Sequence, residues 1–111
     1  MKAYKIGISD EAKEHMRRIS AYIAHRLKAP QSAKNVRNDL RDAISSLRSF
    51  PERIPLSRDK FLGARNLRCM VVRKYLIYFT IDESARQVIV HAVIYGMRDQ
   101  AAQAAEIFET H

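Results

Sequence analysis

The sequence predicts an α+β fold: an N-terminal strand, a two-helix hairpin packed on a mainly antiparallel sheet with a three-strand meander, and a short C-terminal helix. Three observations carry this reading. Apolar residues recur every three or four positions from Ala12 to Leu47, the period drops to two from about Ala64 to Tyr95, and the two regimes follow one another instead of alternating. With 111 residues, 47% of them hydrophobic, the chain suffices for one core and falls short of two, so one domain spanning 1–111 is expected.

Residues 4–8 place Tyr4, Ile6 and Ile8 on one side and Lys5 and Gly7 on the other, the alternation of a short half-buried strand. Ser9 offers a side-chain oxygen to the free amides of a helix whose first turn carries Asp10 and Glu11, acids favoured there by the helix dipole. The stripe Ala12, Met16, Ile19, Ile23 and Leu27 extends that helix to about Leu27. Pro30, which has no amide hydrogen to leave unpaired, suits the first turn of a second helix. Its stripe is Ala33, Val36, Leu40, Ile44 and Leu47, and the two helices make a hairpin. Phe50-Pro51 stops the second helix, because a residue before proline is pushed out of helical angles. Residues 52–63, holding Pro55 and closing on Gly63, read as a loop.

Leu67 and Cys69 then alternate with Arg68 and Met70 in a first meander strand, joined near Val72-Arg73-Lys74 to a second, 75–81, that is almost wholly apolar. A polar turn at 82–86 leads into a third strand, 88–95, whose β-branched run predicts burial on both faces. Asp99 is placed to cap a last helix with Ala101, Ala104, Ala105 and Phe108 on one weakly apolar face.

Lys and Arg number 20 against 12 Asp and Glu, a formal net charge of +8, which implies an acidic partner: nucleic acid, an acidic protein or an anionic surface. No apolar run approaches the eighteen or so residues of a membrane span, and the N-terminus lacks the order of a secretory signal, so a soluble cytoplasmic protein is expected. A single cysteine, Cys69, excludes an internal disulfide, and with His15, His25, His91 and His111 it makes no metal-ligand spacing. Neither a metal nor a cofactor is expected.

The chemistry-bearing candidates are few. Arg98 follows the last strand beside a helix start, where a basic protein can meet an anion, or where an arginine pairs locally with Asp99. Arg68 and Arg73 on the meander are further anion-binding candidates, although a strand arginine is usually a solvated edge residue. Lys34, Arg37, Arg41 and Arg48 form a basic stripe beside the apolar stripe of the second helix, either an anion-binding face or a solvated one answered by Asp39 and Asp42. His91, inside an apolar strand, reads as a proton donor in a cleft or, more commonly, as a hydrogen-bonded core histidine. Tyr75 and Tyr78 either stack on bases or fill the core.

The element order, together with Tyr4-Lys5-Ile6, the Ile19–Ile23 helix, Phe50-Pro51, Gly63-Ala64-Arg65-Asn66-Leu67-Arg68, Tyr78-Phe79-Thr80-Ile81-Asp82 and residues 93–99, resembles the RelE/ParE toxin superfamily. The resemblance implies a small basic toxin of a type II toxin–antitoxin, or plasmid stabilisation, module that inhibits growth of its bacterial host and is neutralised by a cognate antitoxin in a hetero-oligomer, the antitoxin lying across the hairpin and sheet with Lys34, Arg37, Arg41 and Arg48 as candidate contacts. RelE-like members cut messenger RNA on the ribosome, and ParE-like members poison DNA gyrase. A metal-free nuclease needs a base for the 2′-hydroxyl, cations for the phosphorane and an acid for the leaving oxygen. Arg98 and Arg68 match RelE-like basic positions. Tyr75 stands where those enzymes carry a strand arginine, Ala104 about where they carry a C-terminal tyrosine, and Asn66 where a lysine is expected. The ParE-like subgroup is therefore favoured. The alternatives are a messenger RNA endonuclease drawing on Arg68, Arg98, Tyr75 and His91, and a non-toxic basic nucleic-acid-binding module.

Overall fold

The structure, a computed structural model, describes residues 3–96, and Arg98, Asp99 and the expected helix over 101–108 lie outside them. Strand β1 (Lys5–Ile8) is followed by helix α1 (Asp10–Ala21), which runs on through a π-helical turn, Tyr22–Arg26. Ser9 caps α1 as its position predicts, its hydroxyl accepting from the Ala12 amide at 3.0 Å. Helix α2 (Pro30–Ser46) completes the hairpin with proline in its first turn. It ends at Ser46, capped at Leu47, several residues before the Phe50-Pro51 pair expected to stop it, and Phe50 takes a left-handed conformation at φ 47°. Residues 52–63 are more ordered than a plain loop: a single 3₁₀ turn covers Pro51–Arg53, and a short helix α3 (Lys60–Ala64) is capped by Asp59. Gly63 is needed in α3, since a Cβ there would lie 2.7 Å from the Ser57 carbonyl oxygen.

The meander consists of β2 (Arg68–Val72), β3 (Tyr75–Asp82) and β4 (Gln87–Tyr95). The sheet order is β1-β4-β3-β2, with the β4-β3-β2 pairs antiparallel and β1 parallel to β4. Tyr78 opposes Ala92 while Phe79 opposes Val90, so His91 is the extra residue of a β-bulge. The bulge reverses the facing of β4. Val88 and Val90 on one side of it and Val93 on the other all lie under the hairpin, whereas Ala92 and Ile94 face the far side.

The main core lies between hairpin and sheet, where Val36, Leu40, Ile44 and Leu47 of the second helix and its C-terminal end meet Ile77, Phe79, Val88 and Val90. Phe79 and Leu40 are essentially inaccessible, and each buried side chain of this size contributes about 1.5–3 kcal/mol. The far face holds a smaller cluster, in which α3 and the segment after it lay Leu62 and Leu67 on Tyr78, Ala92 and Ile94. No helix among the described residues is long and apolar enough to cross a membrane.

Candidate functional site: two grooves beside the helical hairpin

The meander candidates are each engaged inside the fold. The Arg68 guanidinium points back at the chain, Nη1 donating to the carbonyl of Ile54 at 2.6 Å and to that of Glu52 at 3.4 Å. It ties the 3₁₀ segment to the edge of the sheet. Arg73, in the β2–β3 turn, donates from Nε to Asp39 Oδ2 of α2 at 2.6 Å. Tyr75 lies under the hairpin, edge-on to Tyr95 with ring centroids 5.6 Å apart, and burial raises its hydroxyl pKa. His91 shares a 2.8 Å hydrogen bond between Nε2 and Thr80 Oγ1, and burial lowers its pKa against the opposing pull of Glu11.

A second histidine, His15 of α1, reaches the same bulge, its Nδ1 accepting from the Val93 amide at 3.2 Å. Burial lowers its pKa as well, with Arg18 acting in the same sense and Glu11 and Glu14 opposing. At the start of β1, Tyr4 donates its hydroxyl to Glu52 at 2.6 Å and to Glu83 at 3.1 Å, which pushes its pKa up to about 12. Arg86 lies over its ring at 4.5 Å. This clasp holds β1, the 3₁₀ turn and the β3–β4 turn together, and nothing in the local sequence pattern announces it. Among the described residues no three His, Cys, Asp or Glu side chains converge as metal ligands.

Among the described residues, two grooves flank the hairpin. An inner groove of about 750 Å³ lies between the hairpin's closed end and the sheet, lined by Ile19, Tyr22, Ile23, Leu27, Tyr75 and Tyr95. Tyr22, Leu27 and Tyr95 are 55%, 56% and 45% exposed, large apolar area for a surface. Arg18, Arg73 and Lys74 stand among the residues around it. An outer groove of about 590 Å³ runs between α1 and α2 on the opposite flank, with Lys13 and Arg17 from one helix and Arg37 and Arg41 from the other over Ile8, Met16, Ala21 and Ala24.

The basic stripe is thus divided by the structure: Arg37 and Arg41 line the outer groove, and Lys34 and Arg48 are exposed on α2 and its C-terminal end without lining it. Sequence reasoning found those four and missed Lys13 and Arg17. Their signal was present, since Lys13 and Arg17 are four apart on α1 as Arg37 and Arg41 are on α2, and a hairpin brings two such pairs face to face.

Solved structures similar to this hairpin-on-sheet architecture include members of toxin–antitoxin systems. The chromosomal ParDE system of P. aeruginosa superposes with a TM-score of 0.71 at 9% identity, covering 86% of this chain and 98% of that one. The RelBE2 toxin–antitoxin complex of Mycobacterium tuberculosis gives 0.60 at 16% identity over 86% and 93% of the two chains. The isolated RelE toxin of E. coli gives 0.60 at 16% identity over 94% and 96%. At these identities the likeness is one of fold. The family model for the ParE toxin of the type II toxin–antitoxin system parDE matches residues 6–100, and the chain belongs to that family. A search of curated proteins by sequence found no match.

Proposed function

We propose that this toxin is held by a cognate antitoxin and, once released, inhibits DNA gyrase by binding, without hydrolysis of its own. The observation that carries the choice of target is the condition of the groups a nuclease would use. Arg68 is spent on backbone carbonyls, Tyr75 is buried beneath the hairpin, and His91 is half buried against Thr80. None of the three presents a free cation or proton carrier to a scissile phosphate, which supports a toxin that grips its target. The match to the ParE family model supports the same reading.

The antitoxin segment is proposed to seat an apolar ridge in the inner groove, on Tyr22, Leu27 and Tyr95, where aromatic side chains supply contact area at small entropic cost. The net charge of +8 draws an acidic partner in from a distance.

The test is to induce the chain without antitoxin and follow labelled thymidine and labelled methionine over the first minutes. Early loss of thymidine incorporation with translation intact is expected. Early loss of methionine incorporation instead would overturn the gyrase reading in favour of the ribosome-dependent endonuclease. Normal incorporation of both would leave a non-toxic nucleic-acid-binding module.

A further inference from the structure

We propose that the outer groove of the hairpin is a polynucleotide site that takes the phosphate backbone of duplex DNA. The site does not depend on gyrase being the target. Lys13 and Arg17 stand one turn apart on α1, about 6 Å along the helix axis, and Arg37 and Arg41 repeat that spacing on the facing wall. Among the described residues, no acidic side chain lines the groove. Arg17 is answered by Glu14, whose carboxyl it holds at a pKa of about 2. The side chains of Lys13, Arg37 and Arg41 make no hydrogen bond or ion pair among the described residues. Three cations with no partner among the described residues therefore flank one channel.

The lining chooses between polyanions. Tyrosine and tryptophan are the ring anchors that usually seat a protein segment, and the outer groove has neither in its lining, its one ring being that of the exposed His25. Single-stranded nucleic acid binds on successive aromatic platforms that stack its bases, and the lone imidazole of His25 offers no such succession. A duplex keeps its bases stacked on one another and offers a protein its phosphates, which need only positioned charge. Small residues on the floor, Ala21 and Ala24, leave the long basic side chains as the first groups a large ligand meets. Binding is accordingly indifferent to sequence and strongly dependent on salt.

The experiment is fluorescence anisotropy with the purified full chain and a labelled 20-base-pair duplex, from 50 to 200 mM salt. Neutralisation of three phosphates makes wild-type affinity fall about 40-fold over that range, and Arg37→Gln with Arg41→Gln reduces the fall to about fourfold. Lys34→Gln with Arg48→Gln removes the same net charge from outside the groove and is expected to keep the 40-fold fall. All four positions are exposed, and circular dichroism checks that each variant is folded. Lys13→Gln alone, on the other wall, lowers the log–log slope by about one, so the site is also tested without touching α2.

Equal losses of slope from the groove pair and the outside pair would overturn the site in favour of diffuse charge. Single-stranded DNA binding as tightly as the duplex, or polyglutamate competing as well as duplex DNA, would overturn the assignment of the ligand. A toxin that left thymidine incorporation untouched would remove the gyrase reading and leave these titrations standing. A wild-type chain with no salt-dependent affinity would do the reverse.

Discussion

The inner and outer grooves are built from the same two helices and carry similar numbers of basic residues, yet they offer opposite surfaces. On the inner side Arg73 is matched by Asp39 and Arg18 by Glu14, Lys74 alone has no described partner, and what protrudes is tyrosine and leucine. On the outer side the floor is small and three cations have no described partner. The contrast shows that a net charge of +8 is not a property spread over the chain. What a basic residue can do depends on whether a carboxylate has already neutralised it. One groove is suited to short-range apolar contact that salt barely touches, the other to long-range attraction that salt abolishes.

The largest perturbation should erase the distinction. Leu40 is 1% exposed and seats α2 on the sheet between Val36, which lines the inner groove, and the Arg37–Arg41 pair of the outer one. Leu40→Ala is expected to cost about 2–5 kcal/mol of stability, read from urea midpoints, and to weaken antitoxin and DNA binding together. If one groove kept full affinity while the other failed, they would not share this seat. Tyr22→Ala acts on the inner groove alone, because Tyr22 is more than half exposed and contributes little to the core. Loss of about 2 kcal/mol of antitoxin affinity, close to 30-fold, is expected with an unchanged DNA salt slope. An unchanged antitoxin affinity would move the antitoxin off this groove.

Much of this architecture was legible in the sequence, and the misses share a physical cause. The stripe Ala33, Val36, Leu40, Ile44 and Leu47 is buried throughout, and the meander strands fall within a residue or so of their predicted ends. The first stripe fails at its last member: Leu27, assigned to the core, is 56% exposed. The π-helical turn Tyr22–Arg26 widens the helix and shifts the phase of the residues after it, and periodic spacing in the sequence does not register an extra residue per turn. The β4 bulge was hidden in the same way, since a run that is apolar on both faces looks identical before and after its facing reverses. The parallel pairing of β1 with β4 joins segments about 80 residues apart and leaves no local trace. The grooves were half legible, because a stripe on one helix is visible in the sequence and its facing partner becomes visible only when the hairpin closes.

A smaller effect concerns the support that both grooves share. His15 holds α1 to the β4 bulge as a neutral ring, since Nδ1 can accept from the Val93 amide only while it carries no proton. Its pKa and that of His91 are lowered in the folded protein, mainly by burial, so the unfolded chain binds protons more readily. Their contribution is therefore complete above an unfolded pKa near 6.5 and is lost as pH falls toward the depressed folded values. Urea midpoints should drop between pH 7.5 and 5.5. His15→Gln, which retains an acceptor oxygen and cannot titrate, should flatten part of that drop. An identical pH profile in the variant would remove His15 from the account.

The smallest expected effect is the most discriminating for the contrast between spent and unspent charge. Arg73 lies beside the inner groove, but its guanidinium is already paired with Asp39, and both side chains are 46% exposed. Such a pair is worth about 1 kcal/mol at most and fades with salt. Arg73 also holds a left-handed backbone at φ 55°, a conformation that costs a side-chain-bearing residue roughly 1–2 kcal/mol. Arg73→Gln loses the pair and keeps the strain, so its melting temperature should fall slightly at low salt and match wild type at high salt. Arg73→Gly loses the same pair while relieving the backbone, and should equal or exceed wild type once salt has removed the electrostatic difference. Neither should alter antitoxin affinity more than about twofold, the scale of a pair already screened at the surface. A tenfold loss in both would mean that the partner takes Arg73 away from Asp39, and the inner groove would then be electrostatic as well.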